Sequence, residues 1–171
     1  MTKANDYNSV MARKAEIMLK SIGIDYSKFE SGSIAFDYEK MMRETGYTLE
    51  EMQNIQYSVN VGNTPVLELK NLTALARKCA PSGKGARIFI KDEASNPSGS
   101  FKARRAANAV YHAKRLGYKG VISATSGNYG AAVASQAAIA GLKCIVVQEC
   151  YDSKGVGQPE IVEKARKCEA L

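Results

Sequence analysis

Apolar residues recur at helical spacing near the start of the chain. Val10, Met11, Ile17 and Met18 follow a 3.6-residue repeat and Gly23 supplies a stop, which predicts a helix over 8–23. A second, short helix fits 37–44 and ends at Gly46. A third begins at Thr48, where Thr48 and Glu51 have the spacing of a capping box. These helices form an extension over 1–60 with no recognisable catalytic grouping. The pattern changes at Gly62-Asn63-Thr64-Pro65, which reads as an irregular turn. A short strand or turn leading into a helix follows over 66–80, and 81–85 is a loop.

From there strands and helices alternate. Residues 86–91 (A-R-I-F-I-K) read as a strand, 100–116 as a helix stopped by Gly117, and 120–124 as a strand. Residues 129–140 are an alanine-rich helix stopped by Gly141, 142–148 an apolar β-branched strand, and 158–170 a further helix. Such alternation predicts an α/β fold, a parallel sheet with flanking helices joined by right-handed crossovers. About three parallel strands is fewer than the usual ~4–6. The expectation is that 61–171 forms the first part of a larger α/β core.

Composition narrows the function classes. No apolar run reaches the ~20 residues needed to cross a bilayer, and the polar, charged N-terminus does not read as a secretory signal. No membrane role and a cytoplasmic location are expected. Cys79, Cys144, Cys150 and Cys168 form no C-x-x-C pair, and His112 is the one histidine, so no metal site is expected. The thiols are expected to be reduced and mostly packed in the core. The net charge of +7 is equalled by 84–120, where nine Lys/Arg oppose Asp92 and Glu93. No nucleic-acid motif accompanies these cations, so a small anionic ligand is the more economical reading, with a solvated helix face as the alternative.

Two loops carry candidate chemistry. Residues 96–102 (N-P-S-G-S-F-K) join a strand end to a helix start, the edge at which open α/β sheets bind ligands. Ser100 suits the N-cap, which puts Lys102 at the second helical position. The helix dipole opposes an ammonium there, and Arg104 and Arg105 crowd the same turn. Both effects favour the neutral amine that imine chemistry requires. The bland alternative is a solvated surface lysine. Residues 123–130 (S-A-T-S-G-N-Y-G) also lie between a strand and a helix. Hydroxyls and free amides at a helix start make an anion site, and an amino-acid carboxylate fits. A merely well-capped helix would explain Ser126 but not the T-S-G-N-x-G order.

The segment K-D-E-A-S-N-P-S-G-S-F-K-A-R (91–104) resembles the cofactor-lysine motif of the fold-type II pyridoxal phosphate (PLP) enzymes. That group includes threonine synthases, serine/threonine dehydratases and cysteine synthases. The resemblance implies pyridoxal 5′-phosphate as cofactor and Lys102 as its Schiff-base lysine. T-S-G-N-Y-G resembles the family's substrate-carboxylate loop, implying that Thr125, Ser126, Gly127, Tyr129 and Gly130 hold the carboxylate and that Asn128 bonds the cofactor 3′ oxygen. G-N-T-P-V at 62–66 resembles the G-N-T-P-L that opens the catalytic core. The family's glycine-rich phosphate loop and the group facing the pyridine nitrogen are expected beyond Leu171, so this chain alone is expected to be inactive.

Within the family, threonine synthases read S-F-K-D-R-G where this chain reads S-F-K-A-R-R, with Ala103 and Arg105. That difference, with M-A-R-K-A-E-I-M (11–18) and the helical stretch 36–52, resembles the β subunits of 2-amino-4-oxopentanoate thiolases. This implies an amino-acid substrate, CoA or acetyl-CoA, a second (α) subunit, homo-oligomerisation and a place in ornithine degradation. A threonine synthase-like lyase is the alternative within the family. A dinucleotide-binding oxidoreductase is the alternative outside it, supported by Gly127, Gly130 and Glu149 some 20 residues on. That reading lacks the full G-x-G-x-x-G and leaves Lys102 unexplained.

Overall fold

The computed structural model describes residues 6–32 and 34–171. The chain divides into two compact units, 1–52 and 53–171. In the first, α1 (Tyr7–Ala12) and α2 (Lys14–Ile22) replace the single helix expected over 8–23. The break falls at Arg13 (φ −107°, ψ 11°). Arg13 Nε donates to the Ser9 carbonyl at 3.0 Å, while its own amide turns to the Val10 carbonyl at 3.0 Å. The side chain thus takes the acceptor that an α-helical amide at 13 would use.

A 3₁₀ turn at Tyr26–Phe29 and two antiparallel two-residue strands, β1 (Glu30–Ser31) and β2 (Ala35–Phe36), follow. The sequence pattern did not predict them. They form around a ring cluster of Tyr26, Phe29, Phe36 and Tyr38, with centroids 4.8–6.0 Å apart. Aromatic pairs at this separation favour tilted packing, and Phe29 is buried. Asp37 caps α3 (Tyr38–Thr45) by accepting the Lys40 amide at 2.9 Å, and Gly46 ends it. The expected capping box opens α4 (Leu49–Ser58). The Glu51 amide donates to Thr48 Oγ1 at 3.1 Å, and the Thr48 amide donates to Glu51 Oε2 at 2.7 Å.

The second unit holds β3 (Val66–Glu68), α5 (Lys70–Cys79), β4 (Phe89–Lys91), α6 (Lys102–Arg115), β5 (Gly120–Thr125), α7 (Asn128–Ala140), β6 (Lys143–Gln148) and α8 (Pro159–Glu169). The class is α/β as expected, but β4 does not join the parallel sheet. It pairs antiparallel with β3, Leu67 opposite Ile90. The expected strand over 86–91 also starts late. Thr73 Oγ1 on α5 accepts the Ile88 amide at 2.9 Å, and the Ile88 carbonyl accepts the Leu69 amide at 2.9 Å. The strand's first residues are therefore bonded to the start of α5. Among the described residues the parallel sheet is the pair β5–β6, with Ile122 opposite Ile145.

The core lies around α7, which packs against α6, α8 and both parallel strands. Its side chains are small, and Ala131, Ala132, Ala134 and Ala137 are buried. Small residues permit this close approach on several sides. Ala106, Val110, Ala132 and Val133 form the centre, with Val121, Leu142 and Cys144 packed on it. A second cluster, Val61, Ala103 and Ala107, seats the start of α6. The cysteines correct the expectation of core packing: Cys79 is exposed and the other three are half-buried, all as free thiols. No helix among the described residues is long and apolar enough to cross a membrane.

Candidate functional site

Two of the three motif segments, 62–66 and 91–104, meet through one carboxylate. Glu93 accepts hydrogen bonds from Arg104 Nε at 2.7 Å, Arg104 Nη2 at 2.8 Å, Thr64 Oγ1 at 2.7 Å and Asn96 Nδ2 at 3.0 Å. Buried Asn96 in turn accepts the Gly62 amide at 2.9 Å. Glu93 therefore ties the G-N-T-P turn, the lysine loop and the first turn of α6 together. The Arg104 guanidinium first, and the Thr64 hydroxyl next, hold the Glu93 carboxyl down at about 2 against its usual 4.5. Glu93 in turn holds the Arg104 guanidinium above its ordinary value. Such charge-assisted, bidentate pairs are the stronger class of hydrogen bond. Sequence reasoning missed this hub. Glu93, Asn96 and Arg104 all stand in the quoted motif, but in the sequence they show only as charges and turn residues.

The hub changes the electrostatics expected at Lys102. Arg104 does not crowd the lysine as a bare cation, because it is turned to Glu93. Arg105 lies over the Tyr129 ring, 4.7 Å from its centroid. That contact brings the first turns of α6 and α7 together, and with them the two candidate loops. Other cations of 84–120 are also engaged: Arg87 pairs with Glu68 at 3.1 Å, Lys91 donates to the Thr64 carbonyl at 2.9 Å, and Lys114 to the Ala140 carbonyl at 2.8 Å. Much of the basic segment thus serves the fold.

Lys102 is the first residue of α6, not the second. Ser100 is not its N-cap. Phe101 already has helical dihedrals, and the turn closes through backbone bonds, the Ala103 amide to the Ser100 carbonyl at 3.2 Å and the Arg104 amide to the Phe101 carbonyl at 3.1 Å. The Lys102 ammonium lies 4.3 Å from the Phe101 ring centroid. It makes no ion pair or hydrogen bond among the described residues. Beside it, the hydroxyls of Ser98 and Ser100 are buried without a hydrogen-bond partner.

In the second loop Thr125, the last residue of β5, does the capping. Its Oγ1 accepts the Gly127 amide at 3.0 Å and the Gly130 amide at 3.1 Å. Ser126, the residue that a capped-helix reading would have used, is exposed, as is Asn128, while Tyr129 is half-buried. Gly127 takes φ 149° and ψ −100°, a conformation that residues with a Cβ rarely adopt. This bend leaves the amides of Asn128 and Tyr129 as first-turn donors without an acceptor among the described residues.

A carbonyl-bearing, anionic cofactor fits this arrangement. Among the described residues, a lysine with no ion pair or hydrogen bond stands at one helix start and open amides at the adjacent one. The two orphaned hydroxyls next to the lysine fit as well, because buried polar groups normally have partners. Among the described residues no group of three His, Cys, Asp or Glu could hold a metal ion.

The family profile described as "Pyridoxal-phosphate dependent enzyme" matches residues 57–171. A 2-amino-4-ketopentanoate thiolase beta subunit of Acetoanaerobium sticklandii is 82% identical over 171 residues, 100% of this chain and 36% of that protein. A threonine synthase of Halalkalibacterium halodurans is 43% identical over 86 residues, 50% of this chain and 22% of that protein. Among solved structures, a pyridoxal 5′-phosphate-dependent aspartate racemase superposes with a TM-score of 0.55 at 27% identity, over 73% of this chain and 36% of that one. The chain spans 36% of the length of the thiolase relatives it matches.

Proposed function

The chain belongs to the family of pyridoxal-phosphate dependent enzymes, and from that premise we propose that it is part of the β subunit of a 2-amino-4-ketopentanoate thiolase, with Lys102 as the cofactor lysine. The single observation that carries the substrate assignment is the 82% identity over all 171 residues to a beta subunit of that name. The reaction is 2-amino-4-oxopentanoate plus CoA to acetyl-CoA plus alanine, with an α subunit as partner.

Cleaving C3–C4 leaves an electron pair on C3, and the bound cofactor supplies an electron sink that relieves carbanion charge next to the amino-bearing carbon. The residues of this chain bind, orient and move protons. Lys102, which has no ion pair or hydrogen bond among the described residues, holds the cofactor at rest and serves as the base for the Cα proton of the substrate. The open amides at the start of α7 hold the substrate carboxylate, aided by the positive end of the helix. The Asn128 side chain donates to the ring oxygen of the cofactor. Glu93 and Arg104 keep the lysine loop and α6 in register, so these groups need not reorganise when substrate arrives.

The test uses the full-length protein. Borohydride trapping with pyridoxal phosphate, followed by peptide mapping, is expected to label Lys102; a label on another lysine overturns the cofactor assignment. Acetyl-CoA and D-alanine are expected to release free thiol only when the α subunit is present. Threonine and phosphate formed from phosphohomoserine would overturn the thiolase assignment and leave Lys102 standing.

A further inference from the structure

We infer that Lys164 on α8 is a specificity residue of the same site: its ammonium joins the amides of α7 in holding the carboxylate of the amino-acid substrate. The inference rests on the reading of 125–130 as the carboxylate loop, and it adds a residue from a separate element.

The first observation is proximity. A Cβ built on Gly127 would lie 3.3 Å from both Cδ and Nζ of Lys164. The lysine stem is thus laid along the loop at its sharpest bend, and its ammonium ends there. The second is a missing ion pair. Glu160 stands one turn earlier on α8, at the i,i+4 spacing and in the Glu-before-Lys order that favours pairing. Two other such neighbours do pair, Glu16 with Lys20 at 2.7 Å and Glu39 with Arg43 at 3.4 Å, while on α8 itself Lys167 leaves Glu163 for the Pro97 carbonyl. Lys164 forgoes Glu160 and has no ion pair or hydrogen bond among the described residues. The third is the helix that carries it. Lys167, on the same face, donates to the Pro97 carbonyl at 3.4 Å. α8 therefore touches the lysine loop through Lys167 and the 125–130 loop through Lys164.

Electrostatics make this arrangement informative. The first turn of α7 is the positive end of a helix dipole, so an ammonium beside it is repelled. A lysine that leaves an available glutamate for such a spot breaks a local rule, and such breaks mark functional positions. The conflict is removed by an anion between the ammonium and the free amides of Asn128 and Tyr129. The carboxylate of an amino acid is small enough for both and is the anion that the proposed substrate brings. The phosphates of CoA are the other source of negative charge, and the comparison below separates them.

The experiment uses the full-length holoenzyme and compares wild type, Lys164→Gln and Lys164→Arg. Binding of alanine and of alaninamide, which lacks the carboxylate, is followed by the change in cofactor absorbance. Lys164→Gln is expected to raise the Kd for alanine about tenfold, the scale of one charge-assisted hydrogen bond, and to leave that for alaninamide within about twofold. Lys164→Arg, which keeps the charge, is expected to recover most of the alanine affinity. The absorbance band of the lysine-bound cofactor stays unchanged in both variants. An equal loss for alanine and alaninamide, or no loss for either, overturns the inference; so does a loss seen only in the KM for CoA. Absence of a Lys102-bound cofactor in wild type would instead overturn the reading of the site itself, independently of Lys164.

Discussion

Removing the Glu93 carboxylate tests the structure most directly, because the side chain joins the G-N-T-P turn to the lysine loop and the first turn of α6. Glu93→Gln keeps the shape and deletes the charge. It turns an amide toward Arg104 where two charge-assisted bonds stood, at 2.7 and 2.8 Å. The drop of the carboxyl from 4.5 to about 2 corresponds to roughly 3 kcal/mol at 1.36 kcal/mol per pH unit. The pair is partly open to solvent, with 23% of the Glu93 side chain and 34% of the Arg104 side chain exposed. Screening reduces the expected figure to about 2 kcal/mol.

The sign of the pH dependence follows. The carboxyl is depressed in the folded state, so its contribution is fully present above about 4.5 and is lost as pH falls toward about 2. Denaturant unfolding of full-length wild type and Glu93→Gln at neutral pH is expected to show the variant weaker by that ~2 kcal/mol. The gap should narrow through the acid window, because the wild-type carboxyl then takes up a proton too. An undiminished gap at the bottom of that window, or no gap at neutral pH, would show that the Glu93 charge does not hold these segments together. The variant should also capture pyridoxal phosphate more slowly, since the start of α6 is less firmly seated.

Two further substitutions probe the second loop. Thr125→Val removes the acceptor shared by the Gly127 and Gly130 amides; a loss of about 1–2 kcal/mol is expected in thermal unfolding, and an unchanged melting temperature would show that the capping is immaterial. Gly130→Ala would drive a Cβ into Thr125 Cγ2 and to 2.7 Å from Val146 Cγ1; overpacking of this kind is expected to cost about 1–3 kcal/mol, and an alanine variant as stable as wild type would mean that β5 and β6 yield.

What the sequence disclosed, and what it hid, divides by range. The Thr48–Glu51 box, the glycine stops at 23, 46 and 141, and the alanine-rich α7 were legible because each depends on residues within a turn or two. The break at Arg13 is local too, but it turns on a side chain competing for a carbonyl, which hydrophobic spacing does not encode. The antiparallel β3–β4 pair was hidden because its partner choice depends on Thr73 holding Ile88, a contact formed only in three dimensions. At the site, Lys102 and the T-S-G-N-Y-G loop were legible as motifs. Glu93 was not, since counting charges made Arg104 an opponent of Lys102, whereas geometry makes it a partner of Glu93.

Ala103 shows how the fold bears on the motif's departure from S-F-K-D-R-G. It is wholly buried, packed with Val61 and Ala107 and flanked by Val59. The alanine is therefore matched to the apolar turn at Val59–Val61 that precedes the G-N-T-P segment. An aspartate at 103 would place a carboxylate in that cluster. Arg104, the adjacent cation, is already committed to Glu93. Burying a carboxyl without a partner costs about 1–3 kcal/mol even when it takes up a proton, and more when it stays charged. Ala103→Asp in the full-length protein is thus expected to lower stability by at least ~2 kcal/mol and to raise the carboxyl's own pKa. Because its folded-state pKa is raised, the penalty should be larger at pH 7 than at pH 4. Pairing Ala103→Asp with Val61→Thr, which offers a hydroxyl across the cluster, should recover part of the loss. A single variant as stable as wild type at both pH values would show that position 103 opens to solvent, and the packing account of Ala103 would fall.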